Sequence, residues 1–182
     1  RPSSDNTVNA LCSASAAVSD LGEVVVVMHG TMSDDTCHIH RGTRVRKMHT
    51  SRRSAFESIG IPPIGSVSYP SLEVHLEPAA IRRGTQEPSL AASLEERCGL
   101  LHFYPGMPPE AFTSFSDYKG LIIAGTGLGH VSTLLIPTIK ELVDDGTMVV
   151  MTSQCLHGRV CDRVYDTGRD LIKAGAIEGG DI

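Results

Sequence analysis

LIIAGTGLGHVSTLLIPTIKELVDDGTMVVMT, residues 121–152, decides the fold. It holds a short apolar run (Leu121–Ala124), a glycine-rich turn, a segment of helical period and a second apolar run (Met148–Thr152), which together read as a β-α-β unit. Two strands joined through a helix run parallel, because a short hairpin turn pairs strands only in opposite directions. The same alternation extends outward on both sides. A strand is expected at Gly99–Phe103 and a helix at Pro109–Phe115 before the unit, and a helix at Tyr165–Ala174 after it. Pro137 has no amide hydrogen and would break a helix interior, so the helix drawn over Leu134–Asp144 should start near Ile136 with the proline in its first turn. Gly175, just after Lys173, suits the residue that closes a helix.

The first half reads differently. Ser3, Ser4 and Asp5 are good capping residues, and Val8, Leu11, Cys12 and Val18 recur at helical spacing with Ser15 on the same face, which predicts an amphipathic helix over 6–19. Val24–Met28 is a β-branched run of the kind buried on both faces of a parallel sheet. Residues 30–53 are polar, basic and without period, and are expected to form a long functional loop with a short strand near Thr43–Val45. Ala55–Ile59 is expected to make a helical turn, and Ile64–Tyr69 and Leu72–Leu76 alternate like strands around Pro70. The stretch 77–96, rich in Pro, Arg, Gly and Ser, reads as a linker. The expected organisation is a first domain over 1–76, a linker over 77–96 and a second domain over 97–182.

With 182 residues, 41% of them hydrophobic and 20% charged, the chain can bury a substantial core. Its longest apolar run, Val24–Met28, is far shorter than the roughly 20 residues of a membrane-spanning helix, and a cytoplasmic protein is expected. Five cysteines without paired spacing read as reduced structural thiols rather than a disulfide framework. The chain opens on RPSSDN rather than on Met, and is expected to be a piece of a longer protein. Its charge is uneven: net −5 overall, yet CHIHRGTRVRKMHTSRR, residues 37–53, has six basic residues and no acid. Such a cluster marks an anion or nucleic-acid contact, or a tuned site.

Three stretches carry candidate chemistry. In HGTMSDDTCHIH, His29, Asp34, Asp35, Cys37, His38 and His40 are metal-ligand types, but their spacing matches no zinc pattern, and a polar loop is the expectation. Within the basic stretch, Lys47 is the candidate catalytic residue. Arg44, Arg46, Arg52 and Arg53 are near enough in sequence to repel its ammonium and favour the neutral amine, the form a general base needs; the competing reading is a solvated basic face that binds phosphate or tRNA. His49 reads as a loop histidine. In GTGLGH, residues 125–130, the glycines are spaced unlike the dinucleotide fingerprint, and a tight packing turn at the carboxyl edge of the sheet is expected.

Taken together and in order, RPSSDNTVN, VVVVMHGTMSDD, HRGTRVRKMHTSRRSAFESI, FYPG, GTGLGH and TSQCLHGRVCDRVYDTGR resemble the D subunits of archaeal glutamyl-tRNA(Gln) amidotransferases, within the asparaginase/glutaminase family. The resemblance spans nearly the whole chain and is weakest at 77–96. It implies an α/β, asparaginase-like fold: the remnant of a flavodoxin-like parallel-sheet domain followed by a smaller parallel-sheet α/β domain. It implies a glutaminase that feeds ammonia to an E subunit converting Glu-tRNA(Gln) to Gln-tRNA(Gln), with no cofactor in this subunit, ATP and Mg serving the E subunit, and a homodimer formed through the asparaginase fold.

The family's attacking threonine is activated by a triad of a second threonine, an aspartate and a lysine, and that lysine falls on Lys47. The resemblance places it at the carboxyl edge of a parallel sheet, at least half-buried and facing a cleft. Neither the TGGTI-like nor the HGTDT segment of the family occurs in these residues, so Thr31 with Asp34 only imitates the second of them, and the chain alone is expected to be inactive. The alternatives are a free-standing L-asparaginase and a non-enzymatic tRNA-binding module.

Overall fold

The computed structural model describes residues 4–181; Ser3, one of the expected capping residues, lies outside them. The chain divides into two compact units, residues 1–90 and 91–182.

In the first unit, helix α1 (Asn6–Val18) buries Val8, Cys12 and Ala16, one residue per turn on a single face. Leu11 and Val18, expected on that face, are exposed. Strand β1 (Val25–His29) is followed, across the turn Gly30–Asp35, by β2 (Thr36–Arg41), and the two pair antiparallel with Val27 opposite Ile39 and His29 opposite Cys37. This corrects the expectation of a parallel strand. Nor is the run buried on both faces, since Val24 is 88% exposed and only Val27 of the run is buried; the short polar turn after it makes a hairpin the available connection. Strands β3 (Val45–Lys47) and β4 (Phe56–Ser58) form a separate antiparallel ribbon, so the helical turn expected at Ala55–Ile59 is a strand. Strands β5 (Gly65–Ser68) and β6 (Val74–Leu76) complete an antiparallel sheet of order β1-β2-β5-β6. Its core joins the buried stripe of α1 to Val27, Cys37, Ile39, Ile64 and Val67.

The start of the expected linker belongs to this unit. Glu77 donates its amide hydrogen to the Ile64 carbonyl at 2.9 Å, Arg83 to Asp20 at 2.9 Å, and Gly22 to Ile81 at 2.9 Å. Glu23 sets the geometry: its carboxylate accepts two hydrogen bonds from Arg41, at 2.5 and 2.8 Å, and one from the Ile81 amide at 2.7 Å. The Arg41 hydrogen bonds, with the Ile81 amide adding to them, hold the Glu23 carboxyl below its ordinary range despite its burial. Residues 84–96, by contrast, are exposed throughout.

The second unit follows the expected alternation and adds a short fourth strand after the last helix. Strands β7 (Cys98–His102), β8 (Gly120–Gly125), β9 (Met148–Ser153) and β10 (Ile177–Glu178) form a parallel sheet of order β10-β9-β8-β7. A 3-10 helix at Pro109–Phe115, helix α2 (Ile136–Asp144) and helix α3 (Asp166–Lys173) make the connections. Pro137 lies in the first turn of α2. Gly175 closes the end of α3 at φ 92°, where a side chain would also meet Val143 Cγ1 at 2.7 Å. Leu121, Ile123, Val149 and Met151 face Phe112, Leu135, Ile139 and Leu171 in a continuous core.

Candidate active site

Lys47 ends β3, directly opposite Phe56, and its amine lies 5.8 Å from the centroid of that ring. It is the sole lysine of residues 1–90, and it forms no ion pair among the described residues, whereas Lys140 and Lys173 engage Asp144 and Asp170. The structure corrects its expected setting. Lys47 is exposed and stands on a two-stranded antiparallel ribbon, because β3 pairs with β4, and the parallel sheet belongs to the other unit.

Most of the other basic residues of 37–53 face acceptors. Arg41 is gripped by Glu23, Arg46 lies directly opposite Glu57, Arg52 donates to Ser54 Oγ at 3.0 Å and Arg53 pairs with Asp34. His49 Nδ1 accepts the amide hydrogens of Ser51 and Arg52 at 3.1 and 3.0 Å, which gives it a turn-forming role.

The segment 29–40 is split by the pleat of β2. Cys37 and Ile39 are fully buried in the core beneath α1, while His38 and His40, on the alternate positions, meet edge to face with ring centroids 5.9 Å apart. Among the described residues no group of three or more His, Cys, Asp or Glu is arranged to hold a metal. Burial, with Cys12 beside it, pushes the Cys37 thiol up to about 12, and all five cysteines are free. Burial likewise lowers His40 to about 4, with His38 adding to the effect; its Nδ1 lies 2.8 Å from Ser58 Oγ on β4.

His29, fully buried at the end of β1, connects two elements. Its amide donates to Asn9 Oδ1 at 3.0 Å, its Nδ1 lies 2.6 Å from that same oxygen, and its Nε2 lies 2.9 Å from Asp34 Oδ1. The His29 hydrogen bond, with the Arg53 charge beside it, holds the Asp34 carboxyl below its ordinary value. Thr31 Oγ1 donates to Asp35 Oδ1 at 2.6 Å. Asn9 and Arg53 were missed as a set by sequence reasoning; a polar Asn beside the buried stripe of α1 was the signal available.

In the second unit, GTGLGH makes the tight turn expected at the carboxyl end of β8. Thr126 and His130 exchange backbone hydrogen bonds at 2.9 and 3.0 Å, and a side chain at Gly125 would meet the Gly129 carbonyl carbon at 2.5 Å. The turn is packed against its neighbour through the Cys161 amide, which donates to Leu128 O at 3.0 Å. Asp162 is buried, its Oδ1 without a hydrogen-bond partner among the described residues, and burial, with Glu178 nearby, raises its carboxyl to about 6.

The two units, an antiparallel sheet under one helix and an all-parallel C-terminal sheet, match a known family. The chain belongs to the glutaminase/asparaginase family: residues 1–80 match its "Asparaginase, N-terminal" domain and residues 97–182 its "Glutaminase/Asparaginase C-terminal domain". Within that family it is similar to proteins named as the D subunits of glutamyl-tRNA(Gln) amidotransferases. It is 56% identical to that of Methanosarcina mazei, covering 100% of this chain and 43% of the relative, and 54% identical to that of Archaeoglobus fulgidus, covering 100% and 44%. The chain thus spans less than half the length of these relatives. Among solved structures it resembles the thermostable L-asparaginase of Thermococcus kodakarensis, with TM-score 0.85 and 28% identity over 100% of this chain and 53% of that one. No helix among the described residues is long and apolar enough to cross a membrane.

Proposed function

We propose that this chain is part of the glutaminase subunit of a cytoplasmic tRNA-dependent amidotransferase, the longer protein hydrolysing glutamine to glutamate and ammonia for an E subunit that amidates Glu-tRNA(Gln). The single observation that carries this reading is the 54–56% identity, along the entire chain, to the D subunits of such enzymes. Lys47 is its proton-transferring group. An attacking hydroxyl needs a base to take its proton as the bond to the amide carbon forms, and later an acid to protonate the departing ammonia; one amine that accepts and then returns the proton serves both steps. Lys47 forms no ion pair among the described residues, so no carboxylate there occupies its amine. The nucleophile and its donors for the oxyanion are assigned to residues outside this chain, and the chemistry requires no cofactor from these residues.

The test is glutamine and asparagine turnover by the full-length subunit, with and without its E subunit, in wild type and Lys47→Met. Preference for glutamine coupled to the E subunit, and a fall of about two to four orders of magnitude in Lys47→Met, is the expected result. Near-wild-type turnover in the variant removes Lys47 from the mechanism, and an asparagine preference indifferent to the E subunit indicates a free-standing asparaginase.

A further inference from the structure

We propose that Asp34 is a positioning residue for Lys47: its carboxylate ties the loop that closes the Lys47 ribbon to the end of β1. The inference rests on the reading of Lys47 as the proton-transferring group.

The ribbon has two ends. At one, Val45 opposes Ser58, the Ile59 amide donates to Arg44 O at 2.7 Å, and Ser58 Oγ lies 2.8 Å from Nδ1 of the buried His40 on β2. That end is pinned to the sheet. At the other, Lys47 opposes Phe56, the Met48 amide donates to Ala55 O at 2.7 Å, and the closing loop sends Arg53 to Asp34. A two-stranded ribbon has little stability of its own. Held at one end it pivots there, and Lys47 lies at the end that would travel furthest.

Asp34 is itself fixed from below. Its Oδ1 is shared by Arg53 and His29 Nε2. On the far side of the ring, Asn9 Oδ1 accepts the His29 amide hydrogen, and Asn9 Nδ2 donates to Asp5 Oδ2 at 3.3 Å. Those two contacts identify which end of the Asn9 amide faces His29, and it is the oxygen. Both ring nitrogens therefore face side-chain oxygens. The carboxylate sits between that ring and a guanidinium, at the end of a line that begins on α1. Neighbouring Asp35 is engaged by Thr31 and does not substitute for it.

An ordinary surface ion pair contributes little, and the Arg53 and Asp34 side chains are 24% and 47% exposed. What distinguishes this pair is that its acceptor oxygen is also held by a ring with no exposure at all.

Amide hydrogen exchange in the 182-residue chain gives the direct test, with Met48 as the reporter of the ribbon and Ile64, whose amide donates to Ile39 O at 2.9 Å, as the reporter of the sheet. In Asp34→Asn and, independently, in Arg53→Gln, Met48 should exchange about tenfold faster, the scale of a lost charge-assisted hydrogen bond, while Ile64 is unchanged. Unchanged Met48 exchange in both variants overturns the proposal, as does equal acceleration at Ile64, which would mean general loosening. In the full-length subunit, Asp34→Asn should lower kcat about ten- to a hundredfold with KM within about twofold, and Asp34→Glu should recover much of it. If Lys47→Met is inactive while Asp34→Asn keeps wild-type kcat, the positioning role fails and the reading of Lys47 stands. If Lys47→Met is active, that reading fails and the Met48 amide still decides whether Asp34 holds the ribbon.

Discussion

The Lys47 amine rests 5.8 Å from the centroid of the Phe56 ring, the residue directly across the ribbon. An aromatic face attracts a cation without supplying a proton acceptor, so it orients the amine. Phe56→Leu keeps the apolar surface and removes the ring's negative face. Glutaminase kcat of the full-length subunit should fall about two- to fivefold, the equivalent of an exposed cation–π contact. A loss as deep as that of Lys47→Met would give Phe56 a larger part than orientation.

Thr31 provides the contrasting case. Its hydroxyl donates to Asp35 and accepts the Ser33 amide hydrogen at 3.1 Å, contacts that close the β1–β2 turn. Thr31→Ala in the full-length subunit should retain a substantial part of the activity. A loss as complete as removal of the nucleophile would make Thr31 a reacting group.

Most of the second unit was legible because its transitions have local causes, although the two-residue β10 carried no signal. Pro137 fixes where α2 begins, Gly175 fixes where α3 ends, and the apolar runs between them are too short to be helices. The first unit was misread at Val24–Met28, since a β-branched run marks a strand but fixes neither how deeply it is buried nor which way its neighbour runs. His40 added to the difficulty: a buried histidine hides the period-two alternation of β2, and the segment reads as a loop. The tie between Asp34 and Arg53 was not legible, because 19 residues separate them and only the fold makes them neighbours.

Acid should act on the two units in opposite senses. His40 titrates near 4 in the folded chain against an ordinary 6.5, so the unfolded state gains a proton first, and the first unit loses stability as pH falls from about 6.5 to about 4. Asp162 titrates near 6 against an ordinary 3.8; the folded state keeps its proton longer, and the second unit loses stability as pH rises from about 3.8 to about 6. Asp162→Asn should therefore raise the unfolding midpoint at pH 7 and leave it nearly unchanged at pH 4. Equal effects at the two values would remove burial of the carboxylate as the cause.

Proteolysis should distinguish the two ends of the expected linker. Residues 77–83 are bonded into the first unit through Glu23, Asp20 and Ile64, whereas residues 85–96 are exposed. Brief digestion should cut within 85–96 and leave 77–83 attached to the first unit. First cleavage within 77–83 would contradict the bonding seen around Glu23.

The order β10-β9-β8-β7 places strands in space as they occur along the chain, each new one added to the same edge. No strand has to be inserted between two already paired, and every pairing closes a loop of only one helical connection. Short closures cost little chain entropy and are found early. The second unit can therefore assemble in the order in which a ribosome releases it, β7 with β8 first and β10 last, each strand finding its template already made.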